Sequence, residues 1–373
     1  MKIIFEKEQL LYGISLTSRI APSRYPANVL ATGLLLRSVD SETVVIISNN
    51  TEISLQVTLK ARVEEPGEVV LPARFLADMV RRLPSGEITL SMSPEHFTVH
   101  MNCDDFNMDI AGMNPQDFPS PAADAMKEMW HAPQKALRDA MHSVSFAVSQ
   151  DESRPAMTGM LLSLSPEGCR VIAMDGFRFA EKLLPLSSSI EHECIIPGKA
   201  VNELYRLLAD DDEPFEARIS NNHVAVQFGN LLFQSRLIDA PFPFKNAQDL
   251  VRKEKIGEAI ILRKALIERV ERALLVTRED AKGTHVIRLN FVERNLVISS
   301  NSPDVASLTE EMQVQQEGED ILIGFNGRYL LDILNVIEAD NVHFTFYGSV
   351  TAAVIRPQAM ENFVAILSPI RLS

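Results

Sequence analysis

Long apolar runs, paired cysteines and catalytic fingerprints are all missing from this 373-residue chain. No uninterrupted apolar stretch approaches the roughly 18 residues that span a bilayer as a helix, so no membrane partner is expected. The N-terminus, Met1-Lys2-Ile3-Ile4-Phe5-Glu6-Lys7-Glu8, carries charge where a secretory leader needs its apolar region. Cys103, Cys169 and Cys194 are scattered, with no C-x-x-C arrangement, which gives neither a disulfide framework nor zinc-site spacing. They read as small buried residues, and the chain reads as cytoplasmic. Phosphate-binding loops, dinucleotide fingerprints and the G-x-S-x-G elbow are absent too. His96 and His100 alternate with Phe97, Val99 and Met101, which puts both histidines on the solvent side of a strand. Asp210-Asp211-Asp212-Glu213 reads as a solvated loop. No catalytic centre, metal or cofactor is expected.

A basic excess is lacking as well. The net charge of −14 argues against a conventional sequence-specific nucleic-acid binder. It leaves room for a protein whose basic residues are gathered on one face. At 46% hydrophobic and 23% charged, the composition is that of a globular protein long enough for two or three domains.

A repeat is present. Val171-Ile172-Ala173-Met174 runs into Asp175-Gly176 before a second strand-like run from Phe177, a strong hairpin signal. Similar events follow Val45-Ile46-Ile47-Ser48 at Asn49-Asn50 and Leu296 to Ser300 at Asn301, so positions 49, 175 and 301 are 126 residues apart. A fixed period indicates one unit used three times. The pattern predicts helices over Glu8–Ile20, Ala73–Leu83, Gln134–Val148, Gly198–Leu208, Arg263–Val276 and Gly327–Ile337. In the second of these, Phe75, Leu76, Met79, Val80 and Leu83 make one buried stripe. Short strands fill the intervals, among them Val29–Leu36, Val44–Ile47 and Ile53–Leu59 in the first unit. Pro72-Ala73-Arg74, Pro197-Gly198-Lys199 and Asn326-Gly327-Arg328 superpose, each with one basic residue in a helix's first turn. Cations are disfavoured there by the helix dipole, so three in register point to a shared purpose, with a solvated turn position as the alternative.

The fold class is therefore α+β, in three similar domains of two helices and about eight strands, over 1–122, 128–248 and 253–373. The helices carry Lys135, Arg138, Arg263, Lys264, Arg269, Arg272, Arg74, Arg81, Arg82, Lys199, Arg206 and Arg328, while acidic residues collect in strands and loops. That segregation would give a relatively positive helical face, unless the charges serve solubility alone.

Over essentially its full length the chain resembles the bacterial DNA polymerase III beta subunit, the sliding clamp. The resemblance rests on PARFLADMVRRLP (72–84), FAVSQDESRP (146–155), AMDGFRFA (173–180), IIPGKAVNELYRLL (195–208), SRLIDAPFP (235–243), IGFNGRYLLDIL (323–334) and SPIRL (368–372). It implies processivity-fold domains with helices lining a ring interior and antiparallel sheets outside. It also implies a head-to-tail homodimer encircling duplex DNA non-specifically and tethering the replicative polymerase without catalysis. The implied partners are the DNA polymerase III alpha subunit, the clamp loader delta subunit and other proteins carrying clamp-binding motifs. A divergent paralogue acting as an interaction scaffold is the alternative.

By the same resemblance, a pocket for partner peptides comprises Met157, Met174, Gly176, Phe177, Arg178, Phe179, Pro243, Asn326, Tyr329, Val350, Ala352, Leu367, Ser368, Pro369, Ile370 and Arg371. Arg24, Arg74, Gln150, Arg154 and Lys199 match positions near DNA, and Phe106, Met108, Leu274 and Leu275 match the dimer seam. Two departures stand out. The family usually has Asp-Gly-His-Arg-Leu where this chain has Asp175-Gly176-Phe177-Arg178-Phe179, and it often has Arg where Asp104-Asp105 stand. A bulkier, more apolar pocket and a weaker or salt-dependent dimer are expected.

Overall fold

The computed structural model describes residues 1–22, 29–93, 96–119, 128–185, 191–243, 254–277, 284–302 and 306–372. One order of elements is run through three times. The first pass is β1 (Lys2–Glu6), α1 (Lys7–Thr17), β2 (Gly33–Ser38), β3 (Thr43–Asn49), β4 (Ile53–Lys60), β5 (Arg62–Glu65), β6 (Glu68–Pro72), α2 (Ala73–Arg82), β7 (Glu87–Met92), β8 (Thr98–Cys103) and β9 (Phe106–Ala111). The second is β10 (Glu128–Pro133), α3 (Gln134–Ser145), β11 (Gly159–Ser165), β12 (Gly168–Met174), β13 (Arg178–Leu184), β14 (His192–Pro197), α4 (Gly198–Leu207), β15 (Pro214–Ile219), β16 (His223–Phe228) and β17 (Leu231–Arg236). The third is β18 (Gly257–Leu262), α5 (Arg263–Val276), β19 (Val286–Val292), β20 (Asn295–Ser302), β21 (Ala306–Gln313), β22 (Gln315–Gly318), β23 (Ile321–Asn326), α6 (Gly327–Val336), β24 (Asn341–Phe346), β25 (Ala353–Pro357) and β26 (Phe363–Leu367).

All six predicted helices form. Two stop three residues early, α1 at Thr17 rather than Ile20 and α3 at Ser145 rather than Val148, and the other ends fall within one residue of expectation. Residues 29–32 make a short 3-10 turn, so the strand expected from Val29 starts at Gly33. The apolar stripe of α2 needs correcting. Leu76, Ala77 and Val80 are buried, but Phe75 is 46% exposed. Strands β5, β10, β18, β21 and β22 escaped the pattern. In β21 (Ala-Ser-Leu-Thr-Glu-Glu-Met-Gln) no residue is fully buried, and the strand exists because β20 pairs with it along its whole length. Tertiary pairing overrides a weak local preference there.

The chain packs as two compact units, Met1–Gln134 with Glu213–Leu237, and Lys135–Asp212 with Ile238–Ser373. Every strand pairing among the described residues is antiparallel. In the first unit lie a five-stranded sheet, β5-β1-β7-β8-β9, and an eight-stranded sheet, β10-β15-β16-β17-β4-β3-β2-β6. The second unit holds a nine-stranded sheet, β14-β11-β12-β13-β26-β25-β24-β18-β22, and a four-stranded one, β21-β20-β19-β23. Sheets therefore run across repeat boundaries. Strand β4 pairs with β17 of the next repeat, and β13 pairs with β26. The middle repeat is split between the two units for this reason.

Each unit has its own core. Leu35, Val45, Ile47, Val70 and Phe118 cluster in the first, and Phe291, Phe344 and Phe346 stack in the second with centroids 4.7 to 6.4 Å apart. Burying each such side chain contributes about 1.5–3 kcal/mol. The three cysteines are buried, as expected. Burial pushes the Cys169 and Cys194 thiols up to about 12, which keeps them protonated and unreactive at neutral pH.

Candidate partner-binding site

The turn that joins β12 to β13 organises the second unit's most distinctive surface. Asp175 ends the first strand and folds its carboxylate over the turn. Its Oδ1 accepts hydrogen bonds from the backbone N–H of Phe177 and of Arg178, both at 2.8 Å, while its own N–H donates to the Arg178 carbonyl at 3.2 Å. Gly176 occupies the left-handed region at φ +93°, where a side chain would be strained. The strand expected from Phe177 thus begins one residue later, at Arg178.

Arg178 is the centre of the polar network. Its Nε donates to Asp175 Oδ2 at 3.0 Å and its Nη1 donates to Asp332 Oδ2 on α6. The guanidinium lies 4.0 Å from the centroid of the Tyr329 ring and 5.5 Å from that of Phe146. A planar, weakly hydrated cation between aromatic faces and two carboxylates is held in orientation as well as in charge. Asp332 and Phe146 were not predicted. Asp332 stands three residues after Tyr329, on the same side of α6, and Phe146 opens the FAVSQDESRP stretch.

The remaining predicted residues divide by depth. Met157, Met174 and Phe179 are buried in one cluster with Leu161, Ile172, Val354 and Ile366, against which Ala352 and Phe242 pack. Leu367 is fully buried and lies opposite Arg178 in the β13–β26 register. These residues form the floor. Asn326 caps α6, its side-chain oxygen accepting from the Arg328 N–H at 3.1 Å. Around the rim, Phe177 is 62% and Val350 67% exposed, Pro243 and Arg371 are exposed, and Tyr329, Ser368, Pro369 and Ile370 are half-buried. The final segment is tied down. The Ser368 N–H donates to the Phe177 carbonyl at 2.9 Å and the Ile370 N–H to the Gly324 carbonyl at 2.8 Å. At Gly324 a Cβ would stand 2.9 Å from the Ile370 carbonyl oxygen, so a larger residue would push this segment away.

This arrangement brings the predicted pocket residues of the second unit together as an apolar floor with a charge-compensated arginine and an exposed aromatic rim. Comparison with known proteins then decides the family. Residues 1–122, 131–244 and 249–371 match the N-terminal, central and C-terminal domains of the DNA polymerase III beta subunit. The chain belongs to the DNA polymerase III beta-subunit family, the beta sliding clamps. Its relatives include the beta sliding clamps of Halalkalibacterium halodurans, 26% identical over 386 residues with all of both chains covered, and of Staphylococcus epidermidis, 29% identical with 92% of each covered. The crystal structure of the DNA polymerase sliding clamp from Bacillus subtilis superposes with a TM-score of 0.94 at 25% identity, and that of the DNA polymerase III beta subunit from Pseudomonas aeruginosa with 0.92 at 26%, each over the whole of both chains. This is a family of non-catalytic processivity factors in DNA replication. The chain has three beta-clamp domains of α+β architecture, and among the described residues no helix is long and apolar enough to cross a membrane.

The other residues singled out by the family pattern are spread over both units. Arg24 lies outside the described residues. Arg74, Lys199 and Arg328, in the first turns of α2, α4 and α6, are exposed, and no carboxylate among the described residues pairs with them. Many other helical cations have a carboxylate partner, in several cases a shared one. Arg81 and Arg82 pair with Asp78, Lys135 and Arg138 with Asp210, Arg206 with Glu203, and Arg272 with Glu310. The positive charge of the helices expected from sequence is thus partly offset, with paired clusters that still carry more cations than carboxylates beside the unpaired Arg74, Lys199 and Arg328. Gln150 and Arg154 are exposed, and the Arg154 guanidinium lies against Gly176, where a Cβ would stand 3.2 Å away.

Phe106 and Met108 sit half-buried on β9, an edge strand that follows the tight Asp104-Asp105 turn, with Asp104 at φ +51°. In α5 the two leucines diverge: Leu275 is 83% exposed, whereas Leu274 packs on Gly327. Glu310 on β21 is gripped by Arg272 at 2.6 and 2.7 Å, and those hydrogen bonds hold its carboxyl below the usual range.

Proposed function

We propose that this chain is a DNA sliding clamp in the cytoplasm. Two copies join head to tail into a ring that encircles duplex DNA. Partners such as the replicative polymerase's alpha subunit and the loader's delta subunit hold the ring through short peptides at the site around Phe177 and Tyr329. The repeats divide near 1–122, 128–248 and 253–373. The observation that carries this reading is a pairing made twice and left open twice. Strand β4 bonds to β17, the last strand of the following repeat, and β13 bonds to β26 in the same way. By that rule β21 lacks a last strand from a following repeat and β9 lacks a preceding one, and each is a sheet edge among the described residues. A second copy would fill both edges, which would otherwise be an aggregation hazard.

Arg74, Lys199 and Arg328 support loose, sequence-independent contact with phosphates, with Arg24, Gln150 and Arg154 added by family resemblance. Few free cations suit a ring that slides, because tight phosphate binding would slow it. The test is retention on nicked circular DNA, with release on linearisation and a dimer by gel filtration. A dimer that is never retained, even with a loader and ATP, would favour a scaffold paralogue. At the seam, Asp104 and Asp105 on one edge and Glu311 on the other carry like charge. The dimer should loosen at low ionic strength, where the screening length grows from about 8 Å at 0.15 M salt to about 30 Å at 0.01 M. A dilution series by analytical ultracentrifugation with no dissociation at low salt would sink that expectation.

A further inference from the structure

The two sheet junctions that cross repeat boundaries share a strand arrangement and differ in the side chains it carries. Strand pairing sets the correspondence. The pair Asn49↔Ser54 in the β3–β4 hairpin answers to Met174↔Phe179 in β12–β13. Across the junctions, Ser54↔Gln234 and Ile53↔Ser235 answer to Phe179↔Ile366 and Arg178↔Leu367. Met174, Phe179, Ile366 and Leu367 belong to the floor of the site around Tyr329. Their counterparts in the first unit are Asn49, Ser54, Gln234 and Ser235. An apolar floor in one unit is a polar floor in the other.

Those four polar side chains are 6%, 6%, 8% and 1% exposed, and they line a cavity of about 370 Å³. That volume lies within the range of ligand pockets, about 300–1,000 Å³. Burying polar groups is costly unless they are hydrogen-bonded, and the second unit shows that the same positions accept apolar residues. Part of the bonding capacity is left for a ligand. The Asn49 amide donates to the Pro119 carbonyl at 3.0 Å and accepts from the Thr51 N–H at 2.8 Å, which leaves one amide hydrogen and one lone pair. The Ser235 hydroxyl donates to the Arg236 carbonyl at 2.8 Å and keeps its lone pairs. At the rim, Glu52 and Arg236 are exposed neighbours, the Arg236 N–H donating to the Glu52 carbonyl at 2.9 Å. Neither side chain has an ion-pair partner among the described residues.

We propose that this cavity is a second docking site, for a hydrophilic segment of a partner protein. The segment seats an amide or hydroxyl side chain on the polar floor and carries charged residues of opposite sign beside it, facing Glu52 and Arg236. The occupant is an extended peptide because the surrounding strands repeat those of the site around Tyr329, so the choice of peptide rests on the reading of that site. An apolar anchor is rejected here, since it would leave the buried amides and hydroxyls without partners when water is expelled. The two sites therefore select opposite side chains, and one copy can hold two partners at once.

The test pans the full chain against a random dodecapeptide phage library and measures the enriched peptides by fluorescence anisotropy. The unaltered protein is compared with Gln234→Leu, Glu52→Lys and Tyr329→Ala. Gln234→Leu changes the buried floor at similar size, and Glu52→Lys lies at an exposed position that leaves the fold intact by circular dichroism. The expected result is a hydrophilic class of peptides sharing Asn, Gln, Ser or Thr at one position. Its affinity falls about tenfold in Gln234→Leu and in Glu52→Lys and stays within about twofold in Tyr329→Ala. The same peptides still bind when the site around Tyr329 is saturated with an apolar peptide. Loss of the hydrophilic class in Tyr329→Ala would put both classes at one site and overturn the proposal. Absence of that class, or equal affinity for all four proteins, would also overturn it. If Tyr329→Ala weakens no peptide, the reading of the site around Tyr329 fails, and only a class lost in both Gln234→Leu and Glu52→Lys sustains the polar one.

Discussion

In the turn between β3 and β4, Asn50 Oδ1 accepts from the N–H of Glu52 and of Ile53, at 3.0 and 2.8 Å, and the Asn50 N–H donates to the Ile53 carbonyl. In the turn between β12 and β13, Asp175 makes the same three bonds with Phe177 and Arg178. Thr51 stands at φ +76° where Gly176 stands at +93°. Even the closing bond is shared, the Arg236 N–H donating to the Glu52 carbonyl as the Ser368 N–H donates to that of Phe177. What differs is the spare atom. The amide of Asn50 has a nitrogen left over and donates it to the Ile20 carbonyl, as Asn49 donates to Pro119, so this turn is tied to backbone carbonyls of distant segments. The carboxylate of Asp175 has an oxygen left over and recruits a cation, and Arg178 carries the connection on to Asp332 and Tyr329. One nitrogen exchanged for one oxygen separates a turn that ends on a backbone carbonyl from a turn that carries a charged network.

The sharpest way to break that comparison is Asp175→Ala. It removes three hydrogen bonds and leaves a mostly buried guanidinium with one carboxylate fewer, and should cost about 3 kcal/mol in urea denaturation. Peptide affinity should fall with it. Next comes Tyr329→Ala, which removes the aromatic wall. Affinity for a peptide carrying a clamp-binding motif should drop about 30-fold, equivalent to about 2 kcal/mol, with the fold retained. Asn50→Ala should cost about 1–2 kcal/mol of stability and leave peptide affinity unchanged. A loss of binding in that variant would show that the two turns are not separate in function. The smallest effect is a gain. Thr51→Gly relieves a β-branched residue of a left-handed backbone and should stabilise the first unit by about 0.5–1 kcal/mol, read as a shifted urea midpoint.

Much of this was legible in the sequence. The Asp-Gly signal, the six helices and the triple repeat all follow from spacing and turn chemistry. The register was one residue off. Asn49 and Asn50 are both turn-formers, and spacing alone matched Asn49 to Asp175, 126 residues on. The strand pairs Asn49↔Ser54 and Met174↔Phe179 make Asn50 the true counterpart, 125 residues away, in agreement with the spacing of Pro72 and Pro197. In the third repeat Asn301, expected at the turn, lies in β20 opposite Ser307, and residues 303–305 that follow lie outside the described ones. The grip of Asp332 on Arg178 could not be read from sequence, because it joins residues 154 positions apart. Nor could the outward turn of Phe75, since a stripe of five apolar residues does not say which one the neighbouring strands leave uncovered.

The sheets that cross repeat boundaries bear on how such a molecule can be taken apart. A fragment cut at 128 and 248, along the period visible in the sequence, would strip β17 from β4 and β13 from β26. Two raw strand edges would then face solvent in a piece of about 120 residues. The period marks the repeated unit, whereas the continuous sheets mark what packs together, and the two do not share their borders. Limited proteolysis should therefore release no stable middle repeat.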